Sequence, residues 1–190
     1  SPLTFTPVNW DTPQTVTVTG IDEDIVDGTI TSTITIAVDD ANSDDDFDVV
    51  VDQTVSVDTT DDDAAGFTIV ELDGATEVTE AGSTDTFTVV LDAQPTSDVV
   101  LTVTSDDTSE ATVNSPLTFT PVNWDTPQTV TVTGADDSII DGTVTSSITV
   151  AVVAITSDDN FDAVADQTVS VSTTDDDVAG FTIVELDGAT

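Results

Sequence analysis

Residues 1–20 return without a change as residues 115–134, so the chain contains a long internal repeat with a spacing of 114 residues. The spacing holds to the last residue, because residues 67–76 return as residues 181–190 and about 60 of the 76 overlapping positions are identical. Periods of about 20–50 residues are typical of solenoids, whereas a period of about 100 residues is a whole domain. The sequence therefore predicts a tandem array of domains whose role depends on number or length.

The chain has no Lys, Arg or His, and its 39 Asp and Glu residues give a formal net charge of −39. Nucleic-acid binding and polybasic membrane contacts both need cationic side chains, so the composition argues against both classes. Catalysis through His, Lys or Cys is excluded because the chain has none of these residues. We therefore expect a non-enzymatic protein without nucleic-acid partners. We also expect no direct membrane insertion, since no run of about 18 apolar residues is present.

Short segments alternate Val or Ile with Thr at every second position, as in residues 15–19, 86–91 and 99–104. Such alternation is typical of half-buried antiparallel strands, and clusters of Gly, Pro, Asn and Asp separate the segments. The fold class that we predict is all-β, with tandem seven-stranded immunoglobulin-like sandwich repeats. The seven predicted strands, A to G, are residues 67–72, 84–91, 99–104, 117–120, 129–133, 143–153 and 168–173.

The repeat spacing and the strand pattern together predict three segments along the chain. Residues 64–177 form one complete repeat, residues 1–63 hold strands D to G of the preceding copy, and residues 178–190 begin the next copy. On this interpretation, the strands that the outer segments lack come from the rest of the array or from a neighbouring molecule.

Four aromatic residues of the complete repeat are candidates for the core or its rim, namely Phe67, Phe87, Phe119 and Trp124. Trp124 lies in the connection between strands D and E, where we expect it to cover one end of the sandwich. The alternative for this residue is a carbohydrate-stacking role, but a single Trp in a repeat is usually a packing residue.

The acidic residues gather between strands and at strand ends instead of spreading over the strand faces. In an up-and-down pairing, connections alternate between the two ends of a sandwich, so the A–B, C–D and E–F connections share one end with the end of strand G. The acids that this topology brings together are Glu71, Asp73, Asp106, Asp107, Asp136, Asp137, Asp141, Asp175, Asp176 and Asp177. Asp158, Asp159 and Asp162 fall at the opposite end, where we interpret them as solvated loop residues.

This concentration of carboxylates predicts a bound cation. Two like charges about 4 Å apart repel by roughly 4 kcal/mol at an effective dielectric constant of about 20, and the chain has no basic side chain to offset this repulsion. The alternatives are that the carboxylates take up protons, or that this end of the domain frays. Oxygen-only ligands favour Ca²⁺ over Zn²⁺ or Cu²⁺, and Mg²⁺ competes weakly because it retains its waters. The cofactor that we expect is therefore Ca²⁺, although a single acidic run is more often only a solvated loop.

The complete repeat resembles the Calx-β family of calcium-binding sandwich domains. The resemblance is carried by FTIVELDG in strand A, by PLTFTP and TPQTVTVTGADDSIIDG around strands D and E, and by TVSVSTTDDD in the last strand. Calcium binds at one end of the sandwich in that family, which implies ligands at Glu71, Asp106 or Asp107, Asp136, Asp137, Asp141, Asp175, Asp176 and Asp177. The acids of the adjoining copies that we add as candidates are Asp22, Glu23, Asp27, Asp61, Asp62, Asp63 and Glu185.

Taken together, these features predict a mechanical role outside the cell. Only two or three residues separate residues 175–177 from the next strand A, so calcium at the end of one domain can stiffen the hinge. The function that we expect is a calcium-stabilised extracellular rod or fibre of a bacterial surface or secreted protein, such as an adhesin stalk or a matrix filament. Its expected partners are the neighbouring repeats of the same chain.

Three alternatives to this function stay open. The first is a filament in which other copies of the chain complete each sandwich by strand exchange. The second is a sugar- or ice-binding module that uses exposed rows of Thr. The third is a salt-adapted protein whose charge serves hydration alone, although acids dispersed over the strand faces would suit that role better than acids in clusters.

Overall fold

The computed structural model describes residues 2–184, which form eleven strands and three short 3₁₀ turns. The strands are β1 Ile30–Ile36, β2 Gln53–Thr59, β3 Phe67–Glu71, β4 Thr76–Thr79, β5 Thr84–Leu91, β6 Val99–Ser105, β7 Ala111–Val113, β8 Leu117–Phe119, β9 Gln128–Gly134, β10 Val144–Val152 and β11 Gln167–Thr174. The 3₁₀ turns are Asp45–Phe47, Ala154–Thr156 and Asp159–Phe161. Across this part of the chain, no helix has the length and apolar character that a membrane crossing requires.

The chain divides into two compact units. The first unit consists of Ser1–Glu23 and Thr29–Thr60, and the second consists of Asp24–Gly28 and Asp61–Thr190. In the first unit, β1 and β2 pair as an antiparallel hairpin whose side chains are half-buried or exposed. The predicted domain boundaries, at residues 63 and 177, stay a prediction.

The second unit contains two sheets. One sheet has five strands in the order β4-β11-β10-β6-β8, and the other has four strands in the order β3-β5-β9-β7. Every pairing in these sheets is antiparallel except the parallel pair of β4 and β11. Alternating Val, Ile and Leu side chains from both sheets form one core with Phe87, Phe119 and Phe161, which are fully buried. This arrangement confirms the all-β class and is consistent with a β-sandwich.

The count of seven strands is not confirmed, because nine strands lie in the second unit. Each of the seven predicted strands overlaps an observed one, and the two additional strands are β4 and β7. Strand A is divided, because Gly74 adopts a φ of 81° after β3 and the chain then crosses to the other sheet as β4. Glycine reaches this left-handed conformation without a steric penalty. Both additional strands are only three or four residues long, too short for a period of two to stand out.

The predicted core aromatics lie where the sequence places them. Phe67, Phe87 and Phe119 are buried, which confirms this prediction. Trp124 is half-buried and packs against the core, and its carbonyl oxygen accepts a hydrogen bond from the backbone N–H of Leu91 at 3.2 Å. Trp124 therefore has a packing role.

Candidate metal centre

Four strands bring acidic residues together at one end of the second unit. The residue after β4 is Glu80, whose N–H donates to the carbonyl of Thr174 at the end of β11 (3.0 Å). The residue before β7 is Glu110, whose carbonyl accepts from the N–H of Ala135 just after β9 (2.8 Å). These backbone bonds fix both glutamates beside the β9–β10 connection, which is rich in Asp.

The close approach of β4 and β9 at this end depends on a glycine. A Cβ atom added at Gly134 would overlap the carbonyl oxygen of Thr79, so no larger residue fits there without a backbone shift. The N–H of Gly134 also donates to the carbonyl of Ser83 at 3.0 Å, which holds the β4–β5 turn against the end of β9. Gly134 thus allows the turn that carries Glu80 to reach the other acids.

Two groups of carboxylates at this end have the spacing of a metal site. Glu80, Glu110 and Asp141 form one group, and Glu80, Asp137 and Asp177 form the other. In each group, one oxygen of every carboxylate lies within 4.8 Å of an oxygen of each of the others. Since Glu80 belongs to both groups, the five residues form one continuous cluster, which we call the acidic end cluster.

Several carboxylate oxygens of the acidic end cluster are buried with no hydrogen-bond partner in the described part of the chain. Glu80 is 1% exposed and Glu110 is 4% exposed. Within the described residues, neither carboxylate oxygen of Glu80 has a partner, nor do Oε2 of Glu110 and Oδ2 of Asp177. Buried polar groups are almost always hydrogen-bonded, and a buried charge is normally paired or bound to a metal. These oxygens therefore have the chemistry of ligand atoms.

Burial and mutual repulsion perturb the pKa values in the acidic end cluster. Burial raises the pKa of Glu80 to about 7, and the nearby charges of Asp175, Asp137, Asp141 and Glu110 add to the effect. The pKa of Glu110 is raised by burial and then by the charge of Asp141. That of Asp177 is raised by burial and then by Asp175. A bound cation would offset both causes, because a nearby positive charge favours the ionised form of each carboxylate.

Asp175 has a different role from its neighbours, because backbone N–H groups occupy its carboxylate. Its Oδ2 accepts from the N–H of Gly142 (2.9 Å) and of Asp141 (3.1 Å), and its Oδ1 accepts from that of Asp177 (2.7 Å). These bonds lower the pKa of Asp175, with the bond from Gly142 as the largest cause. Asp175 therefore positions Asp141 and Asp177 and is not itself a member of either group.

Four of the predicted ligands lie outside the acidic end cluster because other groups engage them or because they face solvent. Glu71 accepts a hydrogen bond from the hydroxyl of Thr76 at 2.9 Å, and Asp73 is exposed in the turn between β3 and β4. Asp106 accepts from the N–H of Ser147 at 2.7 Å, which ties the end of β6 to β10. Asp107 accepts from the N–H of Ser109 in a local turn, and its charge helps to raise the pKa of Glu110.

The remaining candidates do not join a group of three within residues 2–184. Asp136 and Asp176 are exposed and act on Asp177 only through their charge. In the preceding copy, Asp61 accepts from the N–H groups of Asp27 and Gly28, as Asp175 does one period later. The candidates of that copy that join no group are Asp22, Glu23, Asp27, Asp61, Asp62 and Asp63, and Glu185 lies outside the described residues.

Glu80 and Glu110, the two most buried candidate ligands, are not among the residues that the sequence predicts. Glu80 continues the alternation of Thr76 and Val78, and all three are buried. The predicted strand A ends at residue 72, and β4 is too short for this alternation to identify a further strand from sequence. Glu110 has no comparable signal, because it and the following Ala111 are both buried where a short strand begins.

The residues of the acidic end cluster fit Ca²⁺ better than other common metals. All five ligands are carboxylates, and Ca²⁺ accepts six to eight oxygen ligands in flexible geometry. Zn²⁺ and Cu²⁺ favour nitrogen and sulfur ligands, which this chain cannot supply from His or Cys. The members that would hold the ion are Glu80, Glu110, Asp137, Asp141 and Asp177. A bound Ca²⁺ would supply positive charge and no reaction chemistry.

Acidic residues at the opposite end of the second unit include a structural one. Asp158 is 3% exposed, and its Oδ2 accepts from the N–H groups of Thr96 (2.6 Å) and Ser97 (2.9 Å). Burial alone would raise the pKa of Asp158, but these bonds, with those from the Thr96 hydroxyl and the Asn160 N–H, lower it below the usual value. The interpretation of Asp158 as a solvated residue is therefore wrong, because its carboxylate fastens two loops together.

Comparisons with known proteins give only distant likenesses. No family model matches the chain, and no curated protein matches it in sequence. Among solved structures, the chain is similar to the apo form of the Calx CBD1 domain, with 16% identity over 58% of this chain and 98% of that one and a TM-score of 0.41. It is also similar to domains 4 and 5 of the S-layer protein SbsC (22% identity, 65% and 63% coverage, TM-score 0.38). A third likeness is to the E. coli chaperone DraB (10% identity, 60% and 59% coverage, TM-score 0.43).

Proposed function

We propose that this chain is part of a long extracellular rod or fibre, built from tandem sandwich repeats that Ca²⁺ stabilises at one end of each repeat. The observation that carries the proposal is the set of buried oxygens of Glu80, Glu110 and Asp177 that have no hydrogen-bond partner among residues 2–184, in a chain without a cationic side chain. A protein does not keep such groups buried unless a ligand or protons neutralise them. Extracellular calcium modules bind in the range of about 10⁻⁴–10⁻³ M, which suits this setting.

The role that we propose is structural and not catalytic. The ion would join the β4–β5 turn through Glu80, the start of β7 through Glu110, and the β9–β10 connection through Asp137 and Asp141. Asp177 would add the segment after β11 to the same centre. Since residue 178 begins the next copy in the repeat spacing, the ion would stiffen the chain where one repeat leads into the next.

The test is thermal unfolding of the 190-residue chain with CaCl₂ or MgCl₂ at constant ionic strength. At about 10 mM, Ca²⁺ is in about 10- to 100-fold excess over a dissociation constant in the extracellular range. Binding then stabilises the fold by about 1.4–2.7 kcal/mol, or about 3–10 °C in a chain of this size. We expect a much smaller shift with Mg²⁺.

The matched pair of variants is Glu80→Gln and Glu77→Gln. Both carry the same substitution, one directly after β4 and the other within it. Glu77 is exposed on β4, so its variant should keep the whole calcium response. Glu80→Gln should abolish most of that response and raise the melting temperature without calcium, because it removes a buried charge. A calcium response that survives in Glu80→Gln, or an equal response to Mg²⁺, would contradict the proposal.

One observation favours the strand-exchange filament as a second candidate. In the first unit, Phe5, Val18 and Val55 are about half-exposed, at 54%, 48% and 52%. Their counterparts one period later are Phe119, Val132 and Val169, which are buried by the two sheets of the second unit. A complementary set of strands from another copy would cover this apolar face. Sedimentation velocity checks this candidate, because a chain that stays monomeric at every concentration does not exchange strands.

A further inference from the structure

A five-residue segment of the preceding copy belongs to the second compact unit. This segment is Asp24–Gly28, and Ile25 within it forms a parallel β-bridge with Gln94 in the β5–β6 connection. The N–H of Gln94 donates to the carbonyl of the first residue of the segment at 2.7 Å. The side-chain amide of Asn160 donates to the carbonyl of Val26 at 2.6 Å. The segment is therefore held by the backbone bridge to Gln94, of which the bond to Asp24 is a part, and by the side-chain hydrogen bond from Asn160. Its two apolar residues are half-buried.

The surface that receives this segment is held in place by a buried carboxylate. Asp158 accepts hydrogen bonds from Thr96 and Ser97 in the β5–β6 connection and from the N–H of Asn160 in the β10–β11 connection. The two loops that carry Gln94 and Asn160 are thus fastened to each other. They form a built receiving surface, which we call the loop seat.

The corresponding segment of the complete repeat is residues 138–142, and its apolar residues are uncovered. Ile139 is 62% exposed and Ile140 is 57% exposed. Their counterparts one period earlier, Ile25 and Val26, are half-buried, and the backbone of each contacts the loop seat. These two isoleucines are adjacent and exposed in a strongly acidic chain. We call this pair the apolar tip.

The two segments have the same local conformation. Asp175 accepts from the N–H of Gly142 at 2.9 Å, and Asp61 accepts from the N–H of Gly28 at 2.7 Å. Gly142 has a φ of 78° and Gly28 a φ of 73°. The loop that carries the tip therefore ends in the same Asp–Gly geometry as the seated segment.

We propose that Ile139 and Ile140 form a docking surface for the following copy of the repeat, which receives them on its own loop seat. The partner is thus a second copy of this sequence, and the contact is the one already made by Asp24–Gly28. The proposal rests on the tandem array of the proposed function, but not on calcium. Asp137 and Asp141 flank the tip, so a repeat whose acidic end cluster holds an ion would present that tip on a fixed loop.

The test uses the chain extended after Thr190 by a further copy of residues 77–190, which continues the repeat spacing and supplies a second complete repeat. The sequence has no cysteine, so introduced pairs form disulfides without competition. One variant combines Ile139→Cys with a cysteine at the glutamine of the added copy that corresponds to Gln94. The control combines Asp136→Cys with the same partner, because Asp22, its counterpart, lies outside the seated segment.

Under mild oxidation, we expect the Ile139 pair to form its intramolecular disulfide at least ten times faster than the Asp136 pair. Replacing Ile140 with Ser in the Ile139 pair should slow disulfide formation, since it removes the remaining isoleucine of the apolar tip. Equal rates for the two pairs would overturn the proposal. The same comparison in Glu80→Gln separates this result from the calcium proposal, because the difference between the pairs should persist when the calcium response is lost.

Discussion

At the scale of single residues, the decisive feature is the buried carboxylate of Glu80, neither oxygen of which has a hydrogen-bond partner within the described residues. Glu80 follows β4 directly, and the register of the parallel pair with β11 turns its side chain inward with Thr76 and Val78. Asp175, by contrast, lies nearby with every hydrogen bond satisfied by backbone N–H groups. Two acids of the same end thus have opposite pKa shifts, and only the unsatisfied one has the character of a ligand.

The raised pKa of Glu80 predicts a pH dependence of stability in the absence of calcium. The folded state holds its proton up to about pH 7, whereas the unfolded state releases it near the ordinary value of 4.5. Stability from this group is therefore complete below about pH 4.5 and is lost as the pH rises through about 7. We expect the urea concentration at the midpoint of unfolding, measured in EDTA, to decrease as the pH is raised from 5 to 8.

Glu80→Gln is the variant for this pH measurement. Its glutamine side chain does not titrate, so the urea midpoint of this variant should decrease much less as the pH rises. Glu77→Gln should retain the decline, since Glu77 is exposed. A midpoint in EDTA that rises over the same range for the unmodified chain would contradict the prediction. Saturating calcium should oppose the decline, because metal binding requires the ionised carboxylate.

At the scale of elements, two hairpins of nearly the same sequence have different surroundings. β1 and β2 pair with Ile34 opposite Val55, and β10 and β11 pair in the same register with Ile148 opposite Val169. Val55 is 52% exposed, whereas Ile148 and Val169 are 0% and 3% exposed. An isolated two-stranded hairpin is at best marginally stable in water, so packing and not pairing determines which hairpin persists.

This contrast predicts a large difference in amide hydrogen exchange between the two hairpins. Opening of β10–β11 exposes the core of the second unit, whereas opening of β1–β2 exposes little that is buried. We expect amides of β1–β2 to exchange at least about 100-fold faster than the aligned amides of β10–β11 in peptide-resolved mass spectrometry. Since the registers match, each amide of β1–β2 is compared with the amide one period later in β10–β11. Similar exchange rates for the two would contradict the prediction.

At the scale of the whole molecule, a net charge of −39 acts on stability independently of any site. Net charge far from zero destabilises a compact state through self-repulsion, and salt screens this repulsion. Calcium binding at the acidic end cluster, as we propose it, would be a local effect that screening does not supply. The two contributions can therefore be separated by ionic strength.

We expect the melting temperature to rise with NaCl and then to level off as screening becomes complete. At about 1 M NaCl the screening length is about 3 Å, so charges in separate clusters no longer interact appreciably. Millimolar CaCl₂ added at that point should still raise the melting temperature in the unmodified chain and not in Glu80→Gln. If calcium does not raise the melting temperature in high salt, the acidic residues affect stability through hydration and screening alone, and the prediction is wrong.

Features that depend on local pattern and composition follow from the amino-acid sequence alone. The period of two indicates the all-β class, and the spacing of 114 residues indicates the repeat. The absence of any cationic side chain means that no residue of the chain can offset the repulsion between its carboxylates. Asp137, Asp141 and Asp177 were predicted as ligands because loops between antiparallel strands alternate between two ends. These properties follow from residue order, without knowledge of which strands meet.

Only the tertiary structure identified the buried partners of those acids. Glu80 and Glu110 are ordinary glutamates in the sequence, and their burial results from the crossing of strand A to the other sheet and from a three-residue strand before Asn114. Likewise, Asp175 and Asp177 stand two residues apart, yet one is satisfied by backbone N–H groups and the other is not. Hydrogen bonding and burial depend on contacts distant in sequence, and for that reason the fold decided which carboxylates are structural and which are free to bind an ion.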